Sequence, residues 1–249
     1  MAATSPRATG ALAASEPASE APPALSVVVA ASLPPRKHAE ATKPAVTRKQ
    51  QRALDLKTLH AANWAAPGVP QSHLTIGTLR TSTKTELTIA YTAGDKHGEL
   101  LALLRGNMAA LYAQSSWGWS DKKKLKELKH PLARFLVIRD GSGTLCGFVH
   151  YRFELEEGGE DDGELDRRVL YVYEIQIAPS FTRQGIGKRA MTLCEMIARC
   201  AQMSHVMLTV FDANKVAGEF YGTIGYALDT SSPQNYGEKV DYRILSKRL

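Results

Sequence analysis

The chain has 249 residues, of which 44% are hydrophobic and 22% are charged. This length and apolar content suffice for one substantial core, so we expect one domain preceded by a polar tail. No apolar run approaches the roughly 20 residues of a membrane-spanning helix, and we expect no membrane partner.

Residues 1–60 form the N-terminal tail, which we predict to be disordered. They carry eight Lys and Arg against four Asp and Glu, and they supply four of the six net positive charges. Ala, Ser, Pro and Thr dominate the first 50 residues, and this composition buries too little surface to fold. An organelle transit peptide is an alternative, although Glu16, Glu20 and Glu40 are unusual in such segments. The basic run 36–52 could be a nuclear signal or a weak nucleic-acid contact, but a solvated tail without direct nucleic-acid binding is favoured.

The three cysteines indicate reduced thiols rather than a metal site. Cys146, Cys194 and Cys200 lie in apolar sequence without CxxC spacing or clustered histidines. We therefore expect them to be small core residues in a reducing compartment, and we expect no metal cofactor.

Periodicity predicts an α/β order that begins near Thr85, where apolar and polar residues alternate. In chain order we predict strand 85–91, a helix capped by Asp95 and ending near 114, helix 121–129, a hairpin of strands 135–138 and 145–155, strand 169–177, helix 185–202, strand 206–211, helix 213–224, and strands 225–228 and 240–245. The acidic stretch 156–166 is predicted to be a loop.

Strand 171–177 leads through Ala178 and Pro179 into the segment 182–187, Thr-Arg-Gln-Gly-Ile-Gly, which opens a helix. The glycines let the backbone approach a ligand, and the free amides of the helix start attract an anion such as a diphosphate. A GxGxxG motif would require glycine at position 190, which is Ala190, and no Gly-Lys-Ser/Thr is present. Both familiar nucleotide motifs are disfavoured, while a plain helix entry remains an alternative.

This segment resembles motif A of the GNAT superfamily, Gln/Arg-x-x-Gly-x-Gly/Ala, whose amides hold the pyrophosphate of coenzyme A. The first position is Thr182, where the family has a basic or amide side chain, so Arg183 and Lys188 become the charge partners. The resemblance implies acetyl-CoA as cosubstrate and a GNAT acyl-CoA N-acyltransferase fold, which is a mixed, mostly antiparallel twisted sheet flanked by helices. The implied coenzyme contacts are Ile175, Gln176, Ile177, Arg183, Gln184, Gly185, Ile186, Gly187, Lys188 and Asn214.

Five blocks spread over roughly residues 100–248 resemble the N-terminal acetyltransferase D family. They are WGW at 117–119, VYEIQ at 172–176, VMLTVF at 206–211, DTSSP at 229–233 and DYRILS at 241–246. That family acetylates the α-amine of histones that begin Ser-Gly-Arg-Gly. The resemblance implies histone N-terminal tails as partners, a monomer, and a location in nucleus and cytoplasm.

Glu174 is the candidate base for removing a proton from the α-ammonium, because a charge in the middle of an apolar strand is costly without a partner. The alternative is a glutamate on the solvent face of an edge strand. Tyr173 and Tyr242 are phenols that could orient the amine or donate to the departing sulfur, or could be ordinary core residues. The resemblance implies that the Tyr173-Glu174 pair lines the catalytic centre.

Glu154 and Glu156 lie on one face of a strand and could bind the arginine at the third position of the substrate. The alternative is an exposed acidic face beside the acidic loop 156–166, which itself could attract a basic tail. The family has aspartate, then glutamate, at these two positions. The predicted substrate residues, several of them by resemblance alone, are Tyr112, Trp117, Glu154, Glu156, Tyr171, Thr209 and Tyr242.

We therefore expect a GNAT domain over residues 80–249 that transfers acetyl from acetyl-CoA to the N-terminal serine amine of such histones. Direct attack is expected, because no cysteine lies in a base-activated setting. One alternative is a GNAT enzyme that acetylates lysine side chains or small amines. Another is a noncatalytic binder of acetyl-CoA or histone tails, which Thr182 makes conceivable.

Overall fold

The computed structural model describes residues 47–64, 74–92, 97–156 and 166–249, which form an eight-stranded sheet with helices packed against it. The strands are β1 Leu74–Arg80, β2 Glu86–Thr92, β3 Arg134–Asp140, β4 Leu145–Glu156, β5 Arg167–Ile177, β6 His205–Phe211, β7 Ala227–Leu228 and β8 Tyr242–Arg248. The α-helices are α1 Thr47–Trp64, α2 His97–Ala113, α3 Asp121–Leu128, α4 Ile186–Cys200 and α5 Lys215–Thr223.

The sheet has the strand order β1-β2-β3-β4-β5-β6-β8-β7. Neighbouring strands are antiparallel throughout except for β5 and β6, which are parallel and are connected through α4. A parallel pair needs such a long crossover, because its two strands begin at the same edge of the sheet. This arrangement confirms the predicted mixed, mostly antiparallel sheet flanked by helices.

Order begins earlier along the chain than the sequence predicts. Helix α1 covers residues 47–60 of the predicted tail, and β1 begins before both Thr85 and the expected domain start at residue 80. The helix has little apolar sequence, yet it docks on β4 and β5: Asp55 is buried and lies 3.5 Å from Arg168, and Asn63 Nδ2 donates to the Phe153 carbonyl at 3.2 Å. Docking stabilises α1, and composition does not reveal docking.

Parts of several predictions lie outside the described residues. These are residues 1–46 of the tail, the Asp95 cap, and positions 157–165 of the acidic loop. At the ends of that loop, Glu156 belongs to β4, and the buried Asp166 lies 3.3 Å from Arg52 of α1.

β5 and β6 are paired over only part of their lengths. Val169–Val172 pair with His205–Leu208, which makes four pairs. Beyond them β5 continues to Ile177 and β6 to Phe211, but the two strands no longer pair with each other. Near the paired end, Arg167 donates two hydrogen bonds to the Asp229 carboxylate, at 3.0 and 2.8 Å. The two strands therefore diverge from Tyr173 onward.

Helix α4 confirms the predicted apolar face, with Ala190, Cys194 and Ala198 fully buried against the sheet. Cys146 is buried as well, as expected, whereas Cys200, the last residue of α4, is exposed and is not the core residue that the sequence predicts. None of the helices in the described ranges combines the length and hydropathy that crossing a bilayer requires.

We predict that Gly147→Ala destabilises the protein. A Cβ at this position of β4 would lie 2.6 Å from the Gln176 carbonyl oxygen and 2.8 Å from Ile177 Cδ1. Overpacking against backbone costs roughly 1–3 kcal/mol, which urea unfolding would measure as a lower midpoint. Gly141→Ala is the matched control, because a Cβ there has no atom within 4 Å. Equal stability of the two variants would contradict the prediction.

Candidate active site

A cleft of about 590 Å³ opens where β4, β5, β6 and β8 meet α3. It contains six of the seven predicted substrate residues: Trp117, Glu154, Glu156, Tyr171, Thr209 and Tyr242. Tyr173 also lines the cleft, together with Lys123, Lys126, Glu127, His130, Arg152 and Ile244, which the sequence did not single out. The cleft thus has an acidic wall on β4 and a largely basic wall on α3.

Tyr112 differs from its predicted role as a cleft residue. It is 2% exposed and does not line the cleft. Its ring packs edge-on against Trp119 and Phe211, at centroid distances of 5.4 and 5.0 Å, with the ammonium of Lys124 4.4 Å from its centroid. Tyr112 therefore packs in the core next to the cleft, because it lies on the buried face of α2.

Glu174 is enclosed at the point where β5 leaves β6. Its side chain is 1% exposed, Lys124 Nζ donates to Oε1 at 3.1 Å, and Gln176 Nε2 donates to Oε2 at 3.0 Å. Burial raises the pKa of this carboxyl to about 7, while the Lys124 ammonium acts in the opposite direction. Glu174 is thus not a residue on an exposed edge, and it exchanges a proton near neutral pH, as a general base requires.

Lys124 is a site residue that the sequence analysis missed. Within the helix sequence Asp-Lys-Lys-Lys-Leu-Lys-Glu-Leu it resembles its solvated neighbours, but it is 4% exposed. The helical spacing did indicate that Lys124 is buried, since it lies four residues before the apolar Leu128 and therefore on the same helix face.

The phenol of Tyr173 contacts two charged residues of β4 that line the cleft. Its hydroxyl donates to Glu154 Oε1 at 2.5 Å, and the Arg152 guanidinium lies 4.1 Å from its ring centroid. Burial and the neighbouring Glu154 carboxylate raise the pKa of Tyr173, and burial also raises the pKa of Glu154. The phenol therefore keeps its proton, and it fixes the Glu154 carboxylate towards the cleft.

Tyr171 and Thr209 form the floor of the cleft where β5 and β6 begin to diverge. Their hydroxyl groups are 2.6 Å apart, and both side chains are buried. This contact links the two strands beside the last backbone pairs. The two residues predicted for substrate contact thus also hold the floor of the cleft together.

A second cavity, of about 300 Å³, lies at the N-terminal end of α4 and is called the loop cavity below. The predicted coenzyme residues that line it are Ile177, Arg183, Gly185, Ile186, Gly187 and Lys188, beside Phe181, Thr182 and residues of α5. Gly185 has a φ of 80°, which glycine adopts without strain. The free amides at the helix start and the two basic residues suit an anion such as a diphosphate.

Two predicted coenzyme residues use their side chains to hold this region together. Gln184 accepts a hydrogen bond from Thr83 at 3.0 Å and donates to the Ser180 carbonyl at 3.1 Å, so it fastens the loop to the β1–β2 turn. Asn214 accepts from the Ala217 amide at 3.2 Å and caps α5. Neither residue lines the loop cavity.

The remaining predicted coenzyme residues, Ile175 and Gln176, are fully buried in β5 beyond its pairing with β6. The Gln176 amide accepts from Asn107 Nδ2 at 2.9 Å and donates to Glu174. Its side chain therefore orients the carboxylate, and contact with a ligand falls to the backbone of this segment.

Tyr221 of α5 is a further residue that the sequence analysis missed. It is fully buried, and within the described residues its hydroxyl has no hydrogen-bond partner. Burial, and next the charge of Glu174, raise its pKa well above 10. A buried, unpaired hydroxyl beside the candidate base is available to donate to a ligand. The sequence carries no signal that separates it from an ordinary core tyrosine.

The described part of the chain holds no group of three or more His, Cys, Asp and Glu side chains that could bind a metal ion. The chemical groups in and beside the cleft include carboxylates, phenols, and the cationic side chains of Lys123, Lys124, Lys126 and Arg152. These groups suffice to accept a proton from an amine and to donate a hydrogen bond.

Comparison with known proteins identifies both a family and a fold. The model of the acetyltransferase (GNAT) family matches residues 102–226. N-alpha-acetyltransferase 40 of Saccharomyces cerevisiae (strain ATCC 204508 / S288c) is 31% identical over 120 residues, covering 44% of this chain and 42% of that protein. The chain therefore matches less than half the length of this curated relative.

Two solved structures share the fold at low sequence identity. The GNAT domain of S. lividans PAT aligns with a TM-score of 0.54 at 13% identity, over 70% of this chain and 96% of that one. An acetyltransferase of the GNAT family from Listeria monocytogenes 4b F2365 aligns with a TM-score of 0.50 at 14% identity, over 70% of this chain and all of that one.

We predict that Glu174 makes folding stability depend on pH. Its folded pKa of about 7 lies above the ordinary 4.5, so the folded state binds the proton more tightly and the stability falls as pH rises through this interval. Relative to Glu174→Gln, the wild-type free energy of unfolding should fall by roughly 2–3 kcal/mol between pH 5 and pH 8.

Denaturant unfolding at several pH values measures this difference. Glu219→Gln, at an exposed position on α5, is the matched control. Parallel stability curves for wild type and Glu174→Gln would contradict the prediction.

Proposed function

This chain belongs to the acetyltransferase (GNAT) family, and on that premise we propose that it transfers acetyl from acetyl-CoA to the N-terminal serine amine of histones that begin Ser-Gly-Arg-Gly. The observation that carries the proposal is the placement of Glu174, a buried carboxylate whose pKa of about 7 suits an amine. In β5 it lies between Tyr173, which lines the cleft, and Ile177, which lines the loop cavity. The cleft would take the peptide, and the loop cavity the coenzyme.

The residues of the loop cavity fit the diphosphate of coenzyme A. The α4 amides at Ile186 and Gly187 would bind it together with Arg183 and Lys188. Thr182 departs from the family pattern, and its hydroxyl donates to the Pro179 carbonyl at 2.9 Å. That bond stabilises the turn, and the charge of the diphosphate falls to the two basic side chains. When bound, acetyl-CoA supplies the activated acetyl group.

Proton removal is the first task of the site. An α-ammonium has a pKa of roughly 7.7–8.0, so a base with a pKa of about 7 is well matched to it. Glu174 does not line the cleft, and we assign it the base role through an intervening water. Tyr173, whose ring lines the cleft, would orient the amine.

The leaving thiolate needs a hydrogen-bond donor. We assign this role to the Tyr221 hydroxyl, which keeps its proton because burial raises its pKa. Direct attack of the amine, without a cysteine intermediate, fits the described cysteines. Burial raises the pKa of Cys146 to about 11 and also raises that of Cys194, so neither is a thiolate at neutral pH.

Substrate selectivity follows from the acidic wall of the cleft. Glu154 and Glu156 offer carboxylates to an arginine at the third substrate position. The Tyr173 hydroxyl holds Glu154 in place, which reduces the entropy lost on binding. We propose histone tails as partners, met in the nucleus and cytoplasm.

The decisive assay presents acetyl-CoA and a Ser-Gly-Arg-Gly-Lys-Gly-Gly-Lys peptide to the purified chain, beside the same peptide with a blocked α-amine. Fragment mass spectrometry should locate acetyl on the serine α-amine of the free peptide only. Acetyl on lysines of the blocked peptide would instead identify a lysine acetyltransferase. Coenzyme binding without transfer to either peptide would identify a noncatalytic binder.

We predict that replacing Glu154 and Glu156 together with Gln raises the peptide KM at least about tenfold, because two charge-assisted hydrogen bonds are weakened. Turnover should change less than about threefold, since the carboxamide that Glu154→Gln introduces would still accept a hydrogen bond from Tyr173. Steady-state kinetics with the Ser-Gly-Arg-Gly peptide measures both constants.

A peptide with norleucine at position three tests the assignment, since wild type and the double variant should then have similar KM values. Glu86→Gln, at an exposed position on β2, is the control for charge alone. An equal KM increase with the norleucine peptide would show that the two carboxylates do not read the arginine.

A further inference from the structure

Lys124 is an ammonium placed where few ammonium groups are tolerated. Its side chain is 5% exposed, and its Nζ lies 3.1 Å from Glu174 Oε1 and 3.0 Å from Glu127 Oε2. The same Nζ lies 4.4 Å from the ring centroid of Tyr112. Burying a charge is costly unless it is paired, and these contacts from β5, α3 and α2 pair it on several sides.

The two carboxylates that Lys124 joins have different surroundings. Glu174 is 1% exposed and does not line the cleft, whereas the Glu127 side chain is 28% exposed and does. Lys124 therefore connects the enclosed base to the surface that the substrate amine would reach. The two carboxylates accept two of the three N–H donors of this ammonium, so a change at either carboxylate also changes the field at the other.

We propose that Lys124 is the positioning residue for Glu174: its ammonium fixes the direction of the carboxylate and keeps it charged, while Glu127 moderates this effect from the cleft. The inference rests on the proposed function, in which Glu174 accepts the proton of the amine. Lys124 itself does not touch the substrate. Lys124 acts by setting the fraction of Glu174 that is deprotonated at the pH at which the enzyme operates.

The groups facing Glu174 set the sign of each effect. Helix α3 contributes Lys124, which lowers its pKa, and Glu127, which raises it. β5 contributes the Gln176 amide, and α5 contributes the Tyr221 phenol, which keeps its proton. On β4 the register partner is His150, whose pKa burial lowers well below its usual range, so it stays neutral. Removing Lys124 or removing Glu127 should therefore shift the pKa of Glu174 in opposite directions.

The test is the pH dependence of kcat/KM for the full chain with the Ser-Gly-Arg-Gly peptide. The acidic limb is the part of the profile in which kcat/KM falls as Glu174 becomes protonated. In Lys124→Met this limb should move to higher pH by at least about one unit. The variant's kcat/KM should then be roughly fivefold below that of the wild type at pH 7 and nearly equal to it at pH 9. In Glu127→Gln the limb should move to lower pH. Lys124→Arg, which keeps the charge, should retain the wild-type limb.

Lys122→Met is the matched control, since Lys122 is exposed on the same helix and outside the cleft. Its profile should coincide with that of the wild type. The inference is wrong if Lys124→Met lowers the rate equally at every pH, or if Glu127→Gln moves the limb in the same direction as Lys124→Met. A rate lost at all pH values in Glu127→Gln would instead make Glu127 the base.

A second readout does not depend on activity. In protein labelled with ¹³C at the glutamate carboxyl carbons, the Glu174 signal is identified by its absence from Glu174→Gln, and its titration gives the pKa directly. This measurement tests the Lys124 inference even if no peptide is acetylated, so the two failures are distinguishable. An unchanged Glu174 titration in Lys124→Met overturns the inference. If that variant does not fold, an unchanged titration in Glu127→Gln overturns it equally.

Discussion

The pairing of one buried carboxylate with one buried ammonium constrains the centre of this molecule. Glu174 and Lys124 are 1% and 5% exposed, and neither charge is tolerated there alone. Helix α3 must therefore dock with Lys124 directed inward, and Asn107 of α2 must hold the Gln176 amide in register. The cleft then follows, because α3 supplies its basic wall opposite residues of β4, β5, β6 and β8. The burial of Glu174 lowers the stability at neutral pH, and the ion pair that offsets part of this cost organises the site.

Much of the fold was predictable because it is encoded locally. Alternation and helical spacing gave the elements from β2 to β8, and the strand, glycine loop and helix pattern located the loop cavity. Six of the seven predicted substrate residues line one cleft, and five of them do so because neighbouring strands bring alternating side chains to the same face. The position of a residue was predictable where it follows from the residue's own strand or helix.

The features that were missed depend on contacts between distant segments. Helix α1 is stabilised by docking on β4 and β5, which a tail-like composition conceals. Lys124 resembles three other lysines of its helix until Glu174, 50 residues away, is placed beside it. Tyr112 was assigned to the pocket, yet packing against Phe211 places it beneath the cleft. In each case the deciding partner lies far along the chain.

The incomplete pairing of β5 and β6 bears on how the chemistry can change over evolutionary time. Four backbone pairs hold the two strands together at one end, while Tyr173–Ile177 lie beyond the ladder between β5 and β6. Side chains along the gap can therefore be exchanged without removing a β5–β6 hydrogen bond. New acyl donors and new amines become accessible through such exchanges, while the pairs of Val169–Val172 keep β5 attached to β6.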